Sequence, residues 1–156
     1  VAGFVINTVD KLVHNTTIGM PQMHDSIRCW METGNLRRFI TCLLDRGYQV
    51  YITADHGNVC ACGIGVPRQG DLVDEISLRA RIYHSTSFAE EAREAFPKDS
   101  CVWPSQYLGT GQAALLAGGL KAFSPSGSEV LSHGSIALEE VFVPFVQIRS
   151  TQQCRG

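Results

Sequence analysis

The sequence predicts an α/β fold built on a mostly parallel sheet with flanking helices, and three stretches carry that prediction. Val50-Tyr51-Ile52 is a run of β-branched and aromatic residues of the kind found in strands covered on both faces. Upstream, the apolar residues from Ile27 to Leu44 recur at helical spacing, with Leu36, Phe39, Ile40, Leu43 and Leu44 following i, i+3, i+4, i+7 and i+8. Before that helix, Gly3-Phe4-Val5-Ile6 is a second short apolar run with strand composition. Strand, helix and strand in this order make a βαβ unit with a right-handed crossover, so both strands deliver their carboxyl ends to one edge.

Taken in order, the first strand runs at once into Asn7-Thr8-Val9-Asp10-Lys11-Leu12-Val13-His14. If a helix starts here, Asp10 and His14 fall on one face, close enough to share an ion. The plainer alternative is a helix-start acid beside a surface imidazole. Asn15 to Met23, with Gly19 and Pro21, reads as a loop, and the long helix begins at Asp25, pauses at Thr33-Gly34 and stops at Gly47 as a left-handed cap. The strand through Ile52 ends in Asp55-His56-Gly57, where the glycine permits a sharp turn and where open α/β sheets collect their functional groups.

Cys60 to Gly70 is Gly-rich but lacks the Gly-Lys-Ser/Thr of a phosphate-binding loop, and it reads as a connection. Leu78 to Tyr83 alternates apolar and basic residues like a half-exposed strand, with Arg79 and Arg81 on one face, either as a solvated edge or as a phosphate contact. Ser87-Phe88-Ala89-Glu90 has the form of a capping box, opening a helix through Ala95 that Pro97 closes. Ala113 to Leu116 is apolar throughout, and its period does not separate a strand from a buried helical turn. Gly118-Gly119 and Ser124 to Ser128 are connectors. His133-Gly134 is a turn leading into a short helix, and the strand from Val141 to Ile148 is interrupted by Pro144, which places it at an edge or gives it a bulge.

At 156 residues, one domain spanning 1–156 is expected. With 13 basic and 15 acidic residues the net charge is −2, which disfavours a dedicated nucleic-acid platform. No apolar run approaches the ~18 residues that a membrane span requires. The chain opens on Val1 rather than Met, which reads as a domain cut from a longer polypeptide. The six cysteines permit fifteen full pairings, but a chain of this size has no need of a disulfide framework. Buried or half-buried free thiols in a reducing cytoplasm are expected, and Cys60-Ala-Cys62 has no second pair at zinc-finger spacing.

An oxygen and a neutral imidazole nitrogen side by side, as Asp55-His56 offers, suit a divalent ion such as zinc. A turn whose Asp bonds its own backbone would look the same in isolation. Company elsewhere changes the weighing: Asp10 and His14 before it, and His133 as a further imidazole at a turn after it.

Three motifs in order, Asn7-Thr8-Val9-Asp10 with His14, Val50-Tyr-Ile-Thr-Ala-Asp55-His56-Gly57-Asn58, and Ser132-His133-Gly134 through Glu139-Glu140 to Pro144-Phe-Val, together resemble the PglZ domain. This domain belongs to the alkaline phosphatase superfamily and is found in BREX-type phage-defence systems. The resemblance spans nearly the whole chain and implies an alkaline-phosphatase-like fold holding two divalent metal ions, zinc being the expected metal. It implies that Asp10, His14 and His133 hold the first ion, and Asp55 and His56 the second. It also implies a metal-binding Asp and a Ser or Thr nucleophile that have no counterpart here and are expected upstream of residue 1, so this stretch alone should be inert.

The activity implied is phosphoester hydrolysis, with a phosphodiester or nucleotide-like substrate ahead of a monoester, Arg79 or Arg81 helping to seat phosphate, and a cytoplasmic location without membrane contact. The partner implied is a phosphoester substrate, a nucleotide or nucleic acid being one form of it, with defence-system proteins as candidate partners. The competing reading is a catalytically silent, metal-stabilised interaction module in the same kind of complex.

Overall fold

The computed structural model describes residues 1–14, 19–67, 73–103, 106 and 111–150. The element order is α1 (Thr8–His14), α2 (Met20–Glu32), α3 (Asn35–Asp45), β1 (Val50–Thr53), β2 (Val59–Gly63), β3 (Val73–Ile76), β4 (Ala80–Tyr83), α4 (Thr86–Arg93), β5 (Ser100–Trp103), β6 (Ala113–Ala117), β7 (Lys121–Ala122), β8 (Glu129–Ser132), α5 (Leu138–Val141) and β9 (Phe145–Ile148). The backbone groups into two compact units, one drawn from the described residues of Val1–Asp55 and Phe142–Gly156, the other running from His56 to Val141.

In the first unit α1 forms over the expected residues, with Asp10 in its first turn where a negative charge favours the helix dipole. The anticipated loop is half helix: residues 15–18 lie outside the described residues, but α2 already begins at Met20 with Pro21 in its opening turn. Proline is harmless there, because the amide it lacks would have had no intrahelical partner. The pause at Thr33-Gly34 splits α2 from α3. After α3 the Gly47 amide donates to the Leu44 carbonyl at 2.9 Å and the Tyr48 amide to Leu43 at 3.1 Å, the paired bonds of a Schellman ending, with Gly47 at φ 78°. An alanine at Gly47 is expected to lose about 1 kcal/mol by forcing a Cβ into the left-handed region, readable as a lower urea midpoint at unchanged slope.

The sheet of this unit corrects the expected topology. Residues 3–6 form no strand and are exposed. The partner of β1 is β9, drawn from the far end of the chain and running antiparallel, with Val50 opposite Ile148 and Thr53 opposite Phe145. Only Val50 of β1 is buried, so the apolar run that suggested a doubly covered strand belongs to a two-stranded ribbon. Its cross-strand contacts are Tyr51 stacked on the diagonal Phe145 at 5.4 Å and the Gln147 amide donating to the Tyr51 hydroxyl at 3.1 Å. Pro144 lies just before β9, where its missing N–H breaks no ladder.

The second unit holds two sheets. One is the antiparallel order β3-β4-β6-β5, and the other is β7-β2-β8, in which only the short β2–β7 pairing is parallel. The α/β class therefore stands, while the mostly parallel sheet does not. Ala113–Ala117 resolves as β6, an inner strand buried along its whole length. It forms a core with Tyr83, Ala89 and Phe123, against which Phe96 and Val102 pack. The helix over this core, α4, starts two residues before the anticipated capping box: Ser85 is its N-cap, accepting from the Phe88 amide at 3.4 Å. The start of the Gly-rich connection proves to be strand β2 over Val59–Gly63, whose inward residues Val59, Ala61 and Gly63 alternate with exposed Cys60 and Cys62; residues 64–67 are irregular as expected, and 68–70 lie outside the described residues.

Candidate functional site

The second unit places two of the anticipated imidazoles together, and strand register explains how. β2 and β8 pair antiparallel with Val59 opposite Ser132. The turn that ends in β2 carries His56, and the residue that follows β8 is His133, so the ladder brings both to one end of the pair. Their rings stack at 3.7 Å between centroids with 16° between planes. A ring nitrogen of one lies within 4.8 Å of a ring nitrogen of the other, and both residues are half-buried.

A backbone carbonyl holds the His56 ring, and a serine hydroxyl holds the backbone of His133. His56 Nδ1 lies 3.1 Å from the Gly57 carbonyl, to which it can only donate, and that tautomer puts the ligand lone pair on Nε2. The Gly57 amide donates to the Glu140 carbonyl at 2.9 Å, tying the His56 turn to α5. Ser77 Oγ donates to the His133 carbonyl at 3.0 Å and accepts from the amides of Arg79 and Ala80.

Beneath the two histidine turns lies an ion pair that the sequence did not suggest. Arg79 is 0% exposed and Glu140 3%. Arg79 donates through Nε to Oε1 of Glu140 at 2.8 Å and through Nη2 to Oε2 at 2.7 Å, a bidentate fork. Its remaining bonds run to the carbonyls of Lys121 and of Gly119, the latter at 2.7 Å. Glu140 also accepts from the Ser135 amide at 3.0 Å and the Ala137 amide at 2.9 Å. Burial alone would raise the Glu140 pKa. The Arg79 hydrogen bond, then those from the two amides, together with the Arg79 charge, overcome that effect and hold the carboxyl below its ordinary value.

The exposed basic edge expected for Arg79 and Arg81 is thus absent. Both arginines face inward, because a carboxylate from a distant segment neutralises one and an aromatic ring covers the other. Arg81 is 2% exposed, with its guanidinium carbon 5.8 Å above the Phe123 ring. Desolvation lowers its pKa, and burial raises that of Tyr83 on the same strand face, the charge of Arg81 opposing in part. Arg79 is committed to holding the fold together, a different task from the phosphate contact anticipated for it.

The other anticipated ligands belong to the first unit. Asp10 is exposed on α1, His14 closes the same helix, and exposed Asp55 is the last residue before the second unit begins. The thiols of Cys29, Cys42, Cys60, Cys62 and Cys101 are free as expected, but the first four are exposed rather than buried. Cys154 lies outside the described residues. Among the described residues no helix is long and apolar enough to cross a membrane.

The donor chemistry of the histidine pair fits a borderline-soft divalent ion such as zinc: two imidazoles at close quarters, one with its tautomer set by a backbone carbonyl. Two residues beyond His56, the Asn58 amide oxygen is buried with no donor among the described residues. No curated protein and no solved structure gives a significant match to this chain. A family model described as the BREX system PglZ alkaline phosphatase-like domain matches residues 1–148, and the chain therefore belongs to the PglZ family.

Proposed function

We propose that the protein is a metal-dependent phosphoester hydrolase of a phage-defence system, working in the cytoplasm on a phosphodiester or nucleotide-like substrate. The observation that carries this reading is the stacked His56–His133 pair, set by the β2–β8 ladder in a chain that matches an alkaline phosphatase-like domain along most of its length. In this proposal Asp10, His14 and His133 hold one zinc ion, and Asp55 and His56 hold a second.

Two bound cations would supply the Lewis acidity to neutralise charge on a phosphoryl group and lower the pKa of water to about 7. The chain's own contribution is to hold the two histidine turns in place. His56 keeps one tautomer through its Nδ1 bond to the Gly57 carbonyl, and His133 is anchored through its carbonyl by Ser77. Pre-set donors lose less entropy on binding a cation than mobile ones do.

The test combines zinc titration of this chain with hydrolysis of an aryl phosphodiester by the full-length protein. His56→Ala and His133→Ala are each expected to weaken zinc binding at least about tenfold, and Asp55→Ala to remove most turnover. Zinc binding with turnover at background in both wild type and Asp55→Ala would favour the silent interaction module. Wild-type zinc affinity no better than that of His56→Ala would remove the metal site and the hydrolase reading with it.

A further inference from the structure

We infer that Glu140, locked by Arg79, is a positioning residue that sets the spacing between the two histidine-bearing turns. This deepens the metal-site reading above, because the groups it positions are the proposed ligands, but its geometry lies wholly within the His56–Val141 unit.

A single residue reaches both turns by different atoms. Through its backbone carbonyl, Glu140 accepts the Gly57 amide at 2.9 Å, directly after His56. Through its two carboxylate oxygens it accepts the amides of Ser135 and Ala137, in the segment that begins at His133. Arg79 uses both edges of that carboxylate and also holds the Gly119 carbonyl at 2.7 Å, so the brace cannot swing without breaking a buried fork. Arg79 also presents its own amide to Ser77 Oγ at 3.0 Å, and that hydroxyl grips the His133 carbonyl. Besides the β2–β8 ladder, the described hydrogen bonds from the Gly57 amide to the 135–137 segment run through Glu140.

An ion pair serving stability alone needs none of these amides. Buried pairs are replaceable by apolar side chains of similar volume at little cost. A planar acceptor, by contrast, can satisfy two loop amides at fixed directions as no apolar group can. The carboxylate therefore shapes the His133 segment, and the Glu140 carbonyl shapes the His56 turn to the same reference point.

The experiment uses the whole chain without metal, reading the ring-current displacement of the His56 and His133 carbon-bound imidazole protons by NMR. In the Arg79→Met/Glu140→Met double variant both sets of signals are expected to move to free-imidazole positions while circular dichroism remains that of a folded protein. Leu115→Ala, a core truncation away from the turns, is expected to leave them in place, which a general loosening would not. Ring signals unchanged in the folded double variant would overturn the inference. Should that variant fail to fold, Glu140→Gln decides on the same signals, and amide hydrogen exchange in the unaltered protein decides without any substitution. Ser135 and Ala137 are expected to be protected as strongly as β2, and rapid exchange there would sink the brace. A second arm measures zinc affinity, expected to fall at least about tenfold in the double variant. If the unaltered chain binds no zinc, the hydrolase reading fails, while the ring signals still decide whether Glu140 sets the pair.

Discussion

Replacing Arg79 by methionine is expected to destabilise the protein by about 3–5 kcal/mol near neutral pH, the cost of stranding a buried carboxylate without its partner. Both side chains are sealed from water, at 0% and 2% exposure, so solvent cannot screen the charge left behind. The two amides that Glu140 accepts soften the loss but supply no compensating positive charge. The double variant, which strands no charge, should be more stable than the single one.

The effect should depend on pH in a definite direction. With Arg79 present, the folded carboxyl titrates below its ordinary value, so it binds its proton less readily folded than unfolded. Its contribution is complete above the unfolded pKa of about 4.3 and is lost as pH falls through the lower folded value. In Arg79→Met only the Ser135 and Ala137 amides are left to oppose the desolvation, the carboxyl takes up its proton more easily, and protonation relieves the stranded charge. The stability difference between wild type and variant should therefore be greatest near neutrality and shrink in acid. Urea unfolding at a series of pH values measures it, and a pH-independent difference would mean that the charge is not its source.

Replacing Gly57 by alanine should be the next most damaging change, at about 2–4 kcal/mol. The reason differs from the one the sequence suggests. Gly57 is not among the glycines with positive φ, so the turn itself would tolerate a side chain. What it lacks is space: a Cβ there would press into the Glu139 carbonyl oxygen and stand 3.0 Å from the carbonyl carbon and 3.6 Å from the Glu140 Cα. All three atoms are backbone and cannot rotate away. The clash would push the turn off α5, and the 2.9 Å bond from the Gly57 amide to Glu140 would be the first to lengthen. Denaturant unfolding should show the full loss with the slope unchanged, and a loss under about 0.5 kcal/mol would show that α5 can retreat.

Helix-forming patterns were legible in the residues. The α3 stripe, its glycine ending and the Asp10–His14 helix all come from local rules, and local rules settled them. The His-Gly turn into α5 was equally clear. Sheet direction was not, because alternation tells which way a side chain faces but not which distant strand lies alongside or how it runs. β2 was concealed by its composition: small inward residues and outward cysteines mimic a glycine-rich loop.

At the site, His56 and His133 were recognisable as turn residues, but their contact follows from the register of β2 on β8, which no local pattern encodes. Arg79 and Arg81 were misjudged for a related reason. Alternating charge on a strand ordinarily marks the solvent side, and it marks the inner side here because an acid 61 residues away along the chain meets Arg79. A paired Glu139-Glu140 just after the His-Gly turn, with one acid turned inward, was the available signal, and nothing in its spacing named a partner.

The antiparallel pairing of β1 with β9 also governs the order of events during synthesis on the ribosome. Residues 56–141 are contiguous, and their strands can find one another as soon as they emerge. Val50–Thr53 must wait for Phe145–Ile148, with the whole intervening stretch already made. Closing so long a loop is entropically slow, and until it closes a nascent β1 presents an unpaired edge carrying Tyr51 and Ile52. Among the described strand pairings the ribbon is the one whose second strand is made last, and the interval before it forms leaves β1 open to capture by a chaperone or by another strand.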